Sequence, residues 1–223
     1  MAEPVTAANS AVLRHGEALR PFRGARILLH VGLGLFSLWV SLEYLDAYQE
    51  FICTTAVLST IGLLETIRFL NPGFNNWVLN FASVFAHTHE REQITSSTWF
   101  WVAMFFISLI QSELVFALTL AVLSLGDQAG GFIGRRYGSI ALINGRSLQG
   151  TLAFTFTSVL LCLAMLYFYF PTLSTTQMIL LSLTASVSGA ISELVCSKID
   201  DNFGVGIGTG LTTWAATLLF GLH

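Results

Sequence analysis

Residues 147–192 read SLQGTLAFTFTSVLLCLAMLYFYFPTLSTTQMILLSLTASVSGAIS, 46 positions without an Asp, Glu, Lys or Arg. A helix needs about 20 mostly apolar residues to cross the hydrocarbon core of a bilayer. The stretch is therefore two crossings, one over residues 148–170 and one over 177–195, joined where Pro171 stops the first. Residues 203–222, 69–89 and 93–112 are three more uncharged runs of about crossing length. The fold class is all-α, a polytopic bundle of transmembrane helices. A membrane β-barrel would instead alternate apolar and polar residues over segments of about ten, and no such pattern is present.

Composition agrees. Of 223 residues, 54% are hydrophobic and 10% are charged, against roughly a quarter charged in an ordinary soluble domain. Mean hydropathy is +0.70. These values exclude a soluble enzyme, a disordered tail and a nucleic-acid binder with a basic face. Net charge is −3, and with so few charges it says little about partners. Cys53, Cys162 and Cys196 lie in apolar segments without CxxC spacing. They fit small buried hydrophobes better than a disulfide or a metal site.

Working outward from the uncharged stretch, residues 198–202 are a loop and 203–222 the last crossing. On the other side, residues 126–150 form a Gly-rich polar loop, and Arg135, Arg136 and Arg146 place it in the cytoplasm. Residues 94–125 are apolar but interrupted by Gln111, Ser112 and Glu113, so they are either a tight pair of short helices or one long crossing. Residues 74–86 reach only roughly 20 Å as a helix, short of a ~30 Å core, which fits a short buried or interfacial helix. Residues 27–42 and 51–67 are the first two crossings, followed by the turn Asn71-Pro72-Gly73. With residues 94–125 as a hairpin, about seven crossings result. Residues 1–24 are polar and carry Arg14, Arg20 and Arg23, with no apolar core before Ile27. They read as a cytoplasmic tail rather than a signal peptide, with residues 25–223 a single integral-membrane domain and no soluble domain or internal repeat.

The few polar residues collect in clusters that this topology puts on the cytoplasmic side: Arg26 and His30, Glu65 and Arg68, residues 90–92, 127–138, 146–147 and 193–202. Ionisable groups at membrane depth are costly and so point to function. Glu43, Asp46, Glu50 and Arg14 fit a plainer role as helix-end residues reaching the interface. Gly126-Asp-Gln-Ala-Gly-Gly-Phe-Ile-Gly-Arg-Arg-Tyr-Gly138 combines glycines that let backbone approach a ligand, a carboxylate for a hard cation and arginines for phosphate. It is neither a Walker A loop nor a dinucleotide fingerprint, and glycines four apart read equally well as close helix packing. Ser192-Glu-Leu-Val-Cys-Ser-Lys-Ile-Asp-Asp-Asn202 places three carboxylates and an amide within ten residues, a donor set suited to Mg²⁺. Glu193 lies about two turns inside the apolar segment, which a solvated acidic loop does not explain. His87 and His89 show no partner pattern for a metal, and Gly204, Gly206, Gly208 and Gly210 form two interleaved GxxxG pairs that favour packing.

In order along the chain, these clusters resemble the CTP-dependent lipid kinases (dolichol kinase, phytol kinase and the yeast-type diacylglycerol kinase), relatives of the phosphatidate cytidylyltransferases. Arg26 and His30 resemble the family's Arg-Lys-x-x-His, with Ile27 at the Lys position. Glu65-Thr-Ile-Arg68 with Asn75 resembles its acidic-x-x-Arg…Asn segment. Glu90 and Ile94–Phe100 resemble Glu…Gly-x-x-Tyr-Phe, with His87 where an Arg is expected. Gly126-Asp127…Gly134-Arg135…Gly138 and Arg146-Ser147-x-x-Gly150 resemble its Gly-Asp…Gly-Arg and Lys-Ser-x-x-Gly motifs. Glu193 and Asp200-Asp-Asn202 resemble its Glu…Asp-Asp-Asn, with Gly206 where a Pro usually follows. The long Pro-x-Lys-Arg…Lys-Asp signature of the cytidylyltransferases is absent, which favours phosphoryl transfer over nucleotidyl transfer.

The resemblance implies an enzyme that moves the γ-phosphate of CTP to a lipid alcohol (polyprenol or dolichol, phytol, or diacylglycerol), with Mg²⁺ as cofactor. Phosphoryl transfer is mostly positioning and charge neutralisation. Asp127, Asp200, Asp201 and Asn202 are the expected metal ligands. Arg26, Arg68, Gly134, Arg135, Arg146, Ser147 and Lys198 are the expected nucleotide or phosphate contacts. Glu90 or Glu193 is expected to orient or deprotonate the lipid hydroxyl, with Asp127 also catalytic. The expected surroundings are the bilayer, with the active-site loops cytoplasmic and no nucleic acid; an oligomer is compatible with all of this. The alternatives are a cytidylyltransferase acting on a phospholipid and, from another class, a small transporter. A transporter predicts polar groups through the midplane and an inverted repeat, and the chain has neither; a purely structural subunit leaves the Gly-Asp and Asp-Asp-Asn clusters without a role.

Overall fold

One helix organises the rest. Glu113–Ala121 (α5) runs through a five-residue π-turn, Val122–Gly126, into Asp127–Tyr137 (α6). In this computed structural model, which describes residues 24–81, 94–196 and 200–222, the side chains at 24–26 and 79–81 excepted, Glu113–Tyr137 is the most enclosed of the long apolar segments, with 67% of its apolar 18-residue stretch buried. Every side chain from Leu114 to Ala121 is buried, as expected of a helix that is apolar all round. Around it stand Gly24–Tyr44 (α1), Ser96–Ser108 (α4), Leu148–Tyr169 (α7), Thr175–Val195 (α8) and Asp201–Leu219 (α9), with Ala47–Leu70 (α2) outside α4 and the short Pro72–Phe81 (α3) against α2.

Five helices among the described residues are long and apolar enough to cross a membrane: Ile27–Tyr44, Ala47–Leu70, Glu113–Tyr137, Leu148–Tyr169 and Thr175–Val195. The sequence predicts about seven. Of the two others, α4 has only 13 residues, and the glycines and threonines of the 19-residue α9 dilute its hydropathy. Residues 94–125 do form a pair of helices, turning at Gln111 (φ 55°), and the Ser112 hydroxyl accepts from the Val115 N–H to cap α5. Residues 72–81 are a ten-residue helix, in keeping with a non-crossing element.

Two expected loops are helical in part. Residues 126–150 open with α6 instead of an irregular loop. Glycine is a poor helix former, so four glycines between 126 and 134 read as a loop in one dimension. In three dimensions Gly126, Gly130, Gly134 and Gly138 make a stripe that lets α6 lie against α7. A side chain at Gly130 would meet Phe154 Cβ at 3.0 Å and the Gly150 carbonyl at 3.2 Å, and one at Gly150 would meet the Gly130 carbonyl at 2.9 Å. Close small-residue packing of this kind replaces the hydrophobic drive that lipid removes. The loop predicted over 198–202 is also shorter than expected, because Asp200 caps α9 by accepting from the Asn202 N–H and the helix starts at Asp201.

The glycines of α9 divide between two neighbours. Gly204 and Gly208 face Cys196 and Ser192 of the α8 end, and Gly206 and Gly210 face Ala103 and Ile107 of α4. Each GxxxG pair therefore serves one interface. Glu50 departs from the expected interfacial role: it is 2% exposed and accepts a 2.5 Å hydrogen bond from the Ser41 hydroxyl.

Gly150→Ala is expected to lower the thermal unfolding midpoint in detergent, since overpacking against backbone costs about 1–3 kcal/mol and exceeds the gain of up to about 1 kcal/mol in helix propensity. Gly32→Ala, where no atom lies within 4 Å of the added carbon, is expected to leave the midpoint unchanged or raise it.

Candidate active site

Side chains from five segments meet at one end of the bundle. Asp127 is the first residue of α6, directly after the π-turn; such turns add a residue to a helix and often mark functional positions. Arg146 ends a clip over residues 138–147. In that clip Leu142 N–H donates to the Arg146 carbonyl at 2.8 Å, and Asn144 (φ 55°) and Gly145 (φ 72°) turn the chain in the left-handed region. The Asn144 amide donates to the Leu194 carbonyl at 2.7 Å, which pins the clip to the end of α8. Glu193 lies in the last turn of α8. Asp200, Asp201 and Asn202 start α9, and Ser96 starts α4.

Arg146 is the hub. Its Nη1 lies 2.9 Å from Glu193 Oε1, and its Nη2 donates to Asp201 Oδ2. Glu193 is 2% exposed, so the guanidinium supplies the compensation that a buried carboxylate requires. Burial works against the Arg146 charge, but Glu193, Asp201 and Asp127 outweigh it and hold its pKa above the ordinary arginine value. Asp127 is half-buried, accepts from the Gln128 amide at 2.8 Å and feels the charges of His30, Arg146, Asp200 and Asp201. An open cavity of about 330 Å³ is lined by Asn144, Gly145, Arg146, Cys196 and Asp201.

Adjacent Asp200 and Asp201 point to different partners. Asp201 meets Arg146 beside the cavity. Asp200 accepts from the Ser96 hydroxyl at 2.7 Å and from the Asn202 N–H and amide at 3.0 and 3.1 Å. Behind Ser96 lies a second polar group. Glu65 Oε1 accepts from the Thr95 N–H at 3.0 Å and the Thr98 hydroxyl at 3.1 Å, and its Oε2 pairs with Arg68 Nη2 at 2.5 Å. Arg68 also donates to Asn75 at 3.4 Å.

Of the residues expected from sequence, the fold gathers Asp127, Arg146, Glu193, Asp200, Asp201 and Asn202. Arg68 is buried and paired with Glu65, three residues earlier on the same helix. Gly134 faces Ser147 and Gly150 in the α6–α7 packing stripe. The Ser147 hydroxyl accepts from the Gly150 N–H as the cap of α7. Arg135 is exposed, with its guanidinium 3.0 Å from where a side chain at Gly131 would begin. Asp127, Gly131 and Arg135, four apart, share one helix face. Glu90, Lys198 and the side chain of Arg26 lie outside the described residues. Among the described residues, no three His, Cys, Asp or Glu side chains converge on one ion position. Thr95, Ser96 and Thr98 fall in the segment 94–100 quoted for its resemblance but were given no role from sequence, and Asn144 was missed. Asn144-Gly145 is a readable turn signal, but nothing in one dimension links position 96 to position 200.

The chain is similar to the CTP-dependent diacylglycerol kinase 1 of Eremothecium gossypii, with 24% identity over 207 residues, 84% of this chain and 65% of that protein. It thus spans just under two thirds of that relative's length. The family resemblance carried by the motifs therefore extends to a curated lipid kinase over most of this chain. No family model and no solved structure matches.

Replacing Arg146 by Ala leaves Glu193 buried without its cation. The thermal midpoint in detergent is expected to fall by the equivalent of up to about 3 kcal/mol, the cost of breaking a buried pair. Arg136→Ala, at an exposed position, is expected to leave it unchanged.

Proposed function

We propose that the protein is a CTP-dependent lipid kinase that transfers the γ-phosphoryl group of CTP to the hydroxyl of a membrane lipid alcohol, with diacylglycerol the first candidate and polyprenols or phytol the others. The observation that carries this reading is the meeting of Asp127, Arg146, Glu193 and Asp200–Asn202 beside an open cavity at one end of a mostly apolar bundle. The name of the curated relative supports it independently. An enzyme with one aqueous and one lateral substrate needs its charged site where the bilayer ends, and this arrangement provides it. We place that end on the cytoplasmic side.

In the reaction the lipid hydroxyl oxygen forms a bond to the γ-phosphorus, the bond from that phosphorus to the β–γ bridging oxygen breaks, CDP leaves and the hydroxyl proton passes to a carboxylate. Catalysis of this kind is positioning plus charge stabilisation. Arg146 is suited to exchange its Asp201 contact for phosphate while its Nη1 stays on the buried Glu193. Arg135 lies on the Asp127 face of α6 and can approach the same phosphates over Gly131. Glu193, within reach of Arg146 but deeper in the bundle, is placed to hold the acceptor hydroxyl and take its proton.

The residues fit Mg²⁺. The donors are all oxygens, and Asn202 Oδ1 is buried without a hydrogen-bond partner among the described residues. Asp127 and Asp201, with Asn202, would hold the ion. Mg²⁺ is commonly bound through one or two carboxylates plus phosphate oxygens, so a protein cage of three acids is not required. When bound, it neutralises charge on the triphosphate.

Purified protein in nanodiscs, given CTP labelled at the γ-phosphate and diacylglycerol, polyprenol or phytol, is expected to label one of these lipids and release CDP. No labelled lipid from any alcohol contradicts the reading, and with phosphatidate as acceptor a CDP-lipid labelled from α-labelled CTP, with release of pyrophosphate, selects cytidylyl transfer instead. Asp127→Asn is expected to keep its fold and lose about a hundredfold or more in rate, the scale of a removed electrostatic contact in an active site.

Cys196 gives a second test. In a Cys53→Ser, Cys162→Ser background, CTP with Mg²⁺ is expected to slow maleimide labelling of Cys196, which lines the cavity. Unchanged labelling at saturating CTP would remove the nucleotide from that cavity.

A further inference from the structure

Asp200 and Asn202 belong to α9, yet the group that orients them comes from α4. The Ser96 hydroxyl donates to Asp200 Oδ2 at 2.7 Å, and the Ser96 carbonyl accepts from Asn202 Nδ2 at 3.4 Å. The other carboxylate oxygen, Asp200 Oδ1, accepts both the Asn202 N–H and the Asn202 amide. All amide donors of Asn202 are thereby directed to Asp200 and Ser96. Its remaining polar atom, Oδ1, is buried without a partner among the described residues, on a residue only 8% exposed. An amide held this way presents one desolvated oxygen in a fixed direction, one residue along the chain from Asp201.

Ser96 is itself fixed. The preceding residue, Thr95, donates its N–H to Glu65, and Thr98 donates its hydroxyl to the same oxygen. Glu65 is locked by Arg68, through an Nε donor at 2.8 Å and an Nη2 contact. The chain of contacts runs from Arg68 to Glu65, into the first turn of α4, and through Ser96 to Asp200 and Asn202. It joins three helices that are far apart in sequence.

We propose that Ser96 is a positioning residue: its hydroxyl and carbonyl orient Asp200 and Asn202 so that Asn202 Oδ1 and the Asp201 carboxylate are presented together to the divalent cation that accompanies the nucleotide. The Glu65–Arg68 pair is the anchor that holds Ser96 in place. This rests on the lipid-kinase reading and assigns to one hydroxyl a measurable share of cation affinity.

The full-length chain in nanodiscs, as wild type, Ser96→Ala and Ser96→Thr, is titrated with Mn²⁺ in the presence of CTP and followed by electron paramagnetic resonance. Wild type and Ser96→Thr are expected to bind alike, since threonine restores the hydroxyl. Ser96→Ala is expected to bind Mn²⁺ about tenfold more weakly, the scale of one hydrogen bond to a charged group, with its thermal unfolding midpoint unchanged. If Ser96→Ala melts early, Ser96→Cys takes its place, because a thiol of similar size is a weak donor, and the same loss is expected. Equal Mn²⁺ affinity in wild type and Ser96→Ala overturns the inference and leaves the kinase reading standing. Absence of Mn²⁺ binding by wild type, together with no phosphoryl transfer to lipid, overturns both.

Discussion

The Arg146 guanidinium, held between Glu193 and Asp201, is the contact on which the polar end of the molecule depends. A carboxylate as enclosed as Glu193 is tolerable only with a cation and good hydrogen-bond geometry. Meeting that need ties three segments together: the clip before α7, the end of α8 and the start of α9. The same contact leaves carboxylates in excess of the single guanidinium, with Asp127 and Asp200 close by. Such a surplus, next to an open cavity, is an electrostatic setting that favours a divalent cation.

The apolar remainder serves this arrangement. A continuous helix from Glu113 to Tyr137 carries Asp127 to the edge of the core, and the glycine stripe on its α6 half lets α7 come close enough to bring Arg146 alongside. The paired glycines of α9 bring that helix against α4 and α8 at once, so that Ser96 can reach Asp200. Packing and chemistry are therefore divided along α6 itself. Gly126, Gly130, Gly134 and Gly138 face α7, while Asp127, Gly131 and Arg135 form the neighbouring face.

The sequence made the membrane character and the main acids legible, because charge is expensive in an apolar chain and is kept where something requires it. Asp127, Arg146, Glu193 and Asp200–Asn202 stood out on that ground alone, and the interleaved glycines of α9 were readable as packing. The helical state of residues 127–137 was not readable, because glycine lowers local propensity and only the facing helix restores the balance. Arg68, expected to contact phosphate, stands three residues from Glu65, a spacing that favours an ion pair on one helix face, and the structure shows that pair. Ser96 stood inside the segment 94–100 that resembles a family motif, but its own role was not readable, since it depends on a contact across 104 residues. Glu50 was read as interfacial because it stands at the edge of the apolar run 51–67; only the approach of α1 shows that Ser41 covers it.

The most direct measurement is a cryo-electron microscopy structure of the protein in nanodiscs with Mg²⁺ and a CTP analogue that cannot transfer its γ-phosphate. Triphosphate density is expected between the start of α6 and the start of α9, in contact with Arg146. Density at the opposite end of the bundle, or none with the analogue at saturation, would contradict the assignment of this cluster as the site of phosphoryl transfer.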